Sequence, residues 1–260
     1  MDGYSRYVAL GDSQTEGLWD GDDSSGLAGF ADRLAARLEQ HSPALLYANL
    51  AVRGHRVIDV LDSQLPQALS MKPDLITVCI GMNDVTRPGR TFDRAMADLA
   101  TVYDRLADSG ATVVTTTFPD LTRILPAGRL LQQRLLAVDA VIRDGARRHG
   151  FRLVDLFHAP SMCYPPTWSA DRIHASARGH QLFADAAAEA LELPGANHDW
   201  AAMPGTGPAS PVLMRWVAQA QWTRNMFLPW AWEHARGRSA CDGRAPKRPQ
   251  LQPIGPACPS

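Results

Sequence analysis

The segment Tyr7-Val8-Ala9-Leu10-Gly11-Asp12-Ser13-Gln14-Thr15-Glu16-Gly17 sets a short apolar run against an abrupt polar turn. Such a run, ended by a glycine-led turn, reads as a strand buried on both faces, as in parallel sheets. The pattern recurs outward from it. Leu45–Leu50, Asp74–Ile80, Thr112–Thr117 and Arg152–Leu156 are further strand candidates. Helical patterns lie between and after them, at roughly Gly26–His41, Val57–Leu69, Phe92–Ser109, Arg129–His149 and Ala177–Leu191. In the fourth, Leu131, Leu135, Val138 and Ile142 repeat at helical spacing, and the third ends on Ser109-Gly110, a helix-stopping pair. Five strands alternating with five helices predict a parallel sheet covered on both faces. Right-handed crossovers make this a doubly wound, three-layer α/β/α domain, whose ligands bind beyond the carboxyl ends of the strands.

The composition narrows the function classes. The chain has 260 residues, 45% of them hydrophobic, and a formal net charge of −1. That suits one domain of about 200 residues with an appendage, and excludes disorder along the whole chain. A near-neutral balance argues against a nucleic-acid partner, which needs a basic stripe. No run approaches the ~18 apolar residues of a membrane span. No P-loop, Gly-x-Gly-x-x-Gly or His-Glu-x-x-His occurs, and Lys72 and Lys247 are the only lysines, both poorly placed for a Schiff base. Met1–Arg6 lacks the charged region and long apolar stretch of a secretion signal, so a cytoplasmic location is expected. Cys79, Cys163, Cys241 and Cys258 form no Cys-x-x-Cys pair and are expected reduced; a Cys241–Cys258 disulfide is the alternative that a cytosol disfavours.

The composition changes near Pro194. Residues 194–260 hold five of the seven Trp and ten of the nineteen Pro, and carry a net charge of +4 against −5 for the rest. The expected organisation is therefore a main domain at 1–193, a Trp-rich extension at 194–238 and a mobile, Pro-rich basic tail at 239–260. Trp216, Trp222, Trp230 and Trp232 lie among apolar neighbours and would be costly to leave in water. They are expected to pack on the body as its covering; the alternatives are walling a pocket at the strand ends or peripheral contact with a membrane. Pro229 breaks a long amphipathic helix and weighs against the last.

Four segments at strand or helix ends carry the chemistry: Gly11–Gly17, Asn49–Gly54, Gly81–Asp84 and Asp171–His174. Acyl transfer needs a hydroxyl nucleophile, a base to take its proton, a carboxylate to orient the base, and donors aimed at the oxyanion. Ser13 is the candidate nucleophile, His174 the base and Asp171 the orienting acid, within one turn of the base. The Ser13 amide, the Gly54 amide and the Asn83 side chain are candidate oxyanion donors. Taken singly, Gly-Asp-Ser is an ordinary turn, Asn83-Asp84 an ordinary helix cap and Asp-x-x-His an ordinary surface pair. Independent coincidence of all four, in this order, is hard to sustain.

With these blocks, Gly-Asp-Ser at 11–13, Asn-x-x-x-x-Gly at 49–54, Gly-x-Asn-Asp at 81–84 and Asp-x-x-His at 171–174, the chain resembles the GDSL, or SGNH, serine esterases over about residues 5–193. The resemblance implies a flavodoxin-like five-stranded sheet of order 2-1-3-4-5 and the roles just given to Ser13, His174, Asp171, Gly54 and Asn83. It implies a small-molecule ester substrate: a short acyl ester, an acetylated sugar or a lipid ester. Acyl transfer to a sugar or lipid alcohol is the alternative enzyme, and a non-catalytic flavodoxin-like binding module the alternative class. The first block ends in Gln14 where the family name has Leu, a position read here as outside the chemistry.

The remaining candidates are supporting ones. Asp12 shapes the turn before Ser13, and Asp84 caps the next helix or backs the site. His55 points into the pocket or to solvent. Arg123, with Asp120, follows the fourth strand and is placed to hold an anionic group; His158 follows the fifth. Asp20, Asp22 and Asp23 lack the Gly and Glu of a calcium loop, so neither a metal nor another cofactor is expected.

Overall fold

The computed structural model describes residues 3–24, 26–87, 89–124, 128–205, 221–224 and 243–254. Its centre is strand β1 (Arg6–Gly11), flanked by β2 (Leu46–Asn49) and β3 (Leu75–Cys79), with β4 (Thr112–Thr116) and β5 (Arg152–Val154) beyond β3. These five run parallel in the order 2-1-3-4-5, as expected. Val8, Leu10, Ile76, Val78, Val113 and Val114 are buried, which is why these segments read as apolar runs and not as alternation.

A sixth strand corrects the five-stranded expectation. β6 (Arg248–Pro253) pairs antiparallel with β2, Leu46 opposite Pro253 and Tyr47 opposite Gln252. The mobile tail expected from 239 onward therefore does not hold for 243–254. Pro249 and Pro253 lack an amide hydrogen, so the segment reads as a non-strand, but an edge strand needs donors on one side only. Lys247, just before β6, is its anchor: Nζ donates to Glu16 O at 2.6 Å, Leu27 O at 2.8 Å and Asp32 Oδ2 at 2.6 Å.

The helices are α1 (Ser13–Glu16), α2 (Phe30–Glu39), α3 (residues 57–70, with a π-type turn at Val60–Gln64), α4 (Met82–Val85), α5 (Gly89–Ala107), α6 (Gly128–His149) and α7 (Ala177–Ala190). α2 starts later than the Gly26 expected, because Gly26–Leu27 pairs with Gly21–Asp22 in a small antiparallel ladder. α2 packs on α7, and α5 packs on α3 and α6, which gives the two outer layers. Gly11 ends β1 at φ 150°, and a Cβ there would sit 2.4 Å from both Cys79 O and Thr15 Oγ1. Only glycine lets the chain turn from β1 into α1 at that contact.

Trp200, early in the extension, is buried and donates its indole N–H to Glu189 of α7. Trp216, Trp230 and Trp232 lie outside the described residues. Cys79 and Cys163 are free thiols, and burial pushes the Cys79 thiol up to about 12. Among the described residues no helix is long and apolar enough to cross a membrane.

Candidate active site

The carboxyl ends of β1, β2 and β3 each feed one block of the site. Asp12 caps α1, accepting from the Gln14 amide, and Ser13 is the first residue of that helix. Ser13 Oγ lies 2.7 Å from His174 Nε2, and His174 Nδ1 lies 2.7 Å from Asp171 Oδ2. The loop from 169 to 175 crosses the sheet end to bring this about; it turns at Arg172, φ 61°, and Asp171 Oδ1 accepts from Ser169 Oγ and from the Ile173 and His174 amides. Burial by itself would raise the Asp171 carboxyl; the His174 hydrogen bond and charge, with those amides, hold it well below the usual carboxylate range. It is an ionised acceptor, which fixes the proton of His174 on Nδ1 and leaves Nε2 free to accept from Ser13.

The three expected oxyanion donors stand differently. Among the described residues the Ser13 and Gly54 amides donate no hydrogen bond. Gly54 has φ 83°, a backbone state that favours glycine. The Arg53 amide before it donates to the buried Glu16 carboxylate at 2.7 Å, while the Arg53 guanidinium grips both Glu16 oxygens. Asn83 Nδ2 is already engaged, donating to His55 O at 2.9 Å and to Asp12 Oδ2 at 3.2 Å. Asn49 is structural: its amide donates to Thr15 O at 2.8 Å and accepts from Ala51 N, tying the β2 loop to α1.

The supporting candidates separate clearly. Asp12 is buried against Asn83, and burial pushes its carboxyl up to about 7. Asp84 accepts from the Val57 amide at the start of α3, and burial pushes it up to about 6. His55 turns inward, its Nδ1 2.9 Å from Gln64 Nε2, and burial lowers its pKa. Arg123 is exposed and has no hydrogen bond or ion pair with these groups, while Asp120 only caps its own turn. His158 pairs with Asp155 away from them. Asp20 is bound to Arg33, and Asp23 to Arg53 and Arg244. No group of three or more His, Cys, Asp or Glu among the described residues is arranged to hold a metal ion.

Several contacts to the site escaped the sequence reading. Gln64 pairs with both the amide and the carbonyl of Gly11, at 2.9 and 2.8 Å. Its signal was a polar residue on the apolar face of a helix, between Val60 and Ala68. Gln14 and Trp19 bond to the 169–175 loop; Gln14 was visible only as a departure from the family's fourth letter, and Trp19 left no local signal. Trp222, by contrast, is one of the four Trp weighed in the sequence as covering or pocket wall; its Nε1 donates to Asp171 O at 3.2 Å, and Arg172 lies over its ring at 5.2 Å.

Comparison with known proteins agrees with this architecture. No curated protein sequence matches the chain. Among solved structures it is similar to an alpha/beta hydrolase enzyme from the metagenome of Lake Arreo, at 25% identity and TM-score 0.60 over 74% of this chain and 97% of that one. It shares its fold with an acetyl-xylooligosaccharide esterase of Geobacillus stearothermophilus, at 19% identity and TM-score 0.61 over 75% and 97%. An extracellular lipase of Streptomyces rimosus shares it too, at 22% identity and TM-score 0.56 over 72% and 99%. The model of the GDSL-like lipase/acylhydrolase family matches residues 9–182, from the strand before Ser13 to the helix after His174. The chain belongs to that family of ester-bond hydrolases.

Proposed function

We propose that the chain hydrolyses small acyl esters through an acyl-enzyme on Ser13. The observation that carries this reading is the unbroken hydrogen-bonded series Ser13–His174–Asp171 at the carboxyl end of β1. His174 Nε2 takes the Ser13 proton as Oγ bonds to the ester carbonyl carbon. The imidazolium that forms faces the ionised Asp171. The Ser13 and Gly54 amides receive the developing oxyanion. Asn83 Nδ2 joins them by giving up its longer contact, with Asp12, and keeping His55 O. On collapse, His174 returns the proton to the leaving alkoxide. Water then attacks the acyl carbon, its proton passes to His174, and Ser13 is regenerated as the acid departs.

A small cavity lined in part by residues of the same sequence blocks supports a short acyl group. A cavity of about 20 Å³ is lined by half-buried Gln14, Met82 and Ile173, the sequence neighbours of Ser13, Asn83 and His174, together with Phe118, Trp168 and Phe183. By this measure a single water needs roughly 10–15 Å³, so the space suits a methyl-sized group. An acetyl ester, with an acetylated sugar as one class, is the substrate this favours. The test is a p-nitrophenyl ester series with a fluorophosphonate probe. Acetate should be turned over faster than octanoate, and the probe should label Ser13 only when His174 is present. Equal labelling of Ser13→Ala sinks the nucleophile, and a preference for octanoate sinks the acetyl assignment.

A further inference from the structure

We infer that Gln14 and Trp19 are positioning residues for His174 and Asp171, so that the segment carrying the nucleophile also sets the base and its acid. This rests on the reading of Ser13, His174 and Asp171 as the reacting groups. Gln14 Nε2 donates to Ile173 O at 2.9 Å, and Gln14 Oε1 accepts from Ala175 N at 3.2 Å. One side-chain amide therefore spans His174 as a neighbouring strand would, gripping the peptide group on either side of it. Peptide groups are planar, so fixing both restricts the two soft torsions at residue 174. Leucine at this position has neither a donor nor an acceptor with which to do this.

Trp19 acts on the acid. Its indole Nε1 donates to Asp171 Oδ2 at 2.9 Å, the oxygen that also receives His174 Nδ1. An indole N–H can only donate, so the contact is favourable only to an accepting oxygen and suits the ionised carboxylate. With Ser169 Oγ and two amides on Oδ1, both oxygens of Asp171 are held in place. Trp19 has φ 73°, an uncommon conformation for a bulky side chain, and the residue stays 45% exposed. Burial thus does not account for its placement; the Asp171 contact does.

The platform for the clamp is rigid. Asn49 Nδ2 donates to Thr15 O at 2.8 Å, and buried His180 lies between the Phe30 amide and Leu18 O, with Nε2 3.1 Å from that carbonyl. Residues 13–19 are therefore fixed from β2 on one side and α7 on the other. A displacement of about 1 Å in a reacting group can lower a rate by about 10²-fold, so loss of either clamp contact should appear in kcat.

The experiment compares full-length Gln14→Leu and Trp19→Phe with wild type and Ser13→Ala on p-nitrophenyl acetate. Leu keeps bulk and Phe keeps a ring, while both drop the hydrogen bonds. Each variant should lose about 10- to 100-fold in kcat, with KM within about twofold and an unchanged melting midpoint. The double variant should lose less than the product of the single losses, because both contacts hold one loop. The low-field proton resonance of the His174–Asp171 hydrogen bond should shift in Trp19→Phe, which a purely stabilising role would not cause. Near-wild-type kcat in both folded variants overturns the clamp and leaves the triad standing. A kcat loss that only follows a lowered melting midpoint also overturns it, as does a rise in KM alone, which would make Trp19 a substrate contact. Wild-type turnover by Ser13→Ala overturns triad and clamp together.

Discussion

Replacing Lys247 by Met tests whether the C-terminal strand is part of the hydrolase body. The substitution keeps the stem and removes an ammonium that meets Asp32 Oδ2, Glu16 O and Leu27 O at 2.6–2.8 Å. Lys247 and Asp32 side chains are only 20% and 24% exposed. Removing one partner of a fully buried pair costs about 3–5 kcal/mol. Partial exposure lets water satisfy some of the orphaned oxygens, so about 2–3 kcal/mol is expected here. For a domain of this size that is a fall of roughly 4–12 °C in melting midpoint.

The loss should also depend on pH in a defined direction. Burial raises the Asp32 carboxyl pKa and Lys247 opposes that rise, so the Met variant raises it further. A carboxyl raised in the folded state lends relative stability below its unfolded value of about 3.9 and loses it as pH climbs through the folded value. The deficit should therefore be larger at pH 8 than at pH 5, where Asp32 can take up a proton. Thermal melts followed by circular dichroism at both pH values read this directly. Melting midpoints within 1 °C of wild type at both, or a deficit independent of pH, would refute the anchoring role. Deleting 243–260 removes β6 as well as the anchor and should leave an aggregating chain; a stable, active deletion product would refute the same reasoning.

Three further outcomes are expected. Asp171→Asn should lower kcat by about 10⁴-fold, since an amide no longer selects the His174 tautomer that accepts from Ser13; steady-state kinetics on the folded variant check this. Asn83→Ala should lower kcat by about 10²–10³-fold, the usual loss for one oxyanion donor, and turnover within threefold of wild type would mean that the Ser13 and Gly54 amides suffice. Burial pushes the Asp12, Asp84 and Asp139 carboxyls up to about 7, 6 and 6, so the folded state holds more protons than the unfolded one between pH ~4 and ~7, and these groups make stability fall as pH rises across that window. Asp139→Asn, whose carboxyl accepts from the Phe118 amide, should reduce that fall in urea titrations at pH 4.5 and 7.5.

Much of the fold was legible because its signals are local. The run Tyr7–Leu10 and its counterparts show no alternation, as strands buried on both faces must, and right-handed crossovers then limit the topology. Helix ends were less legible. The start of α2 is decided by the ladder that Gly26–Leu27 makes with Gly21–Asp22, and the π-type turn that turns Gln64 toward Gly11 left no pattern of its own. β6 was invisible because its prolines read against a strand, and only the open edge of β2 makes a strand of it.

The four blocks likewise identified the residue types for acyl transfer, because each chemical role admits few side chains. Their mutual placement was not in the blocks. Ser13 and His174 are separated by most of the domain along the chain, and the closure of the 169–175 loop onto α1 brings Oγ to 2.7 Å from Nε2. Gln14 seemed idle in the sequence because its partners are backbone atoms, which carry no residue identity. Trp19 carries no signal in the sequence because its partner, Asp171, is equally remote along the chain. Sequence determined the chain's local order and its chemical alphabet, since burial pattern and side-chain chemistry are properties of neighbouring residues. Tertiary structure alone decided which distant groups meet, because hydrogen bonds act over about 3 Å and only the folded chain brings such groups that close.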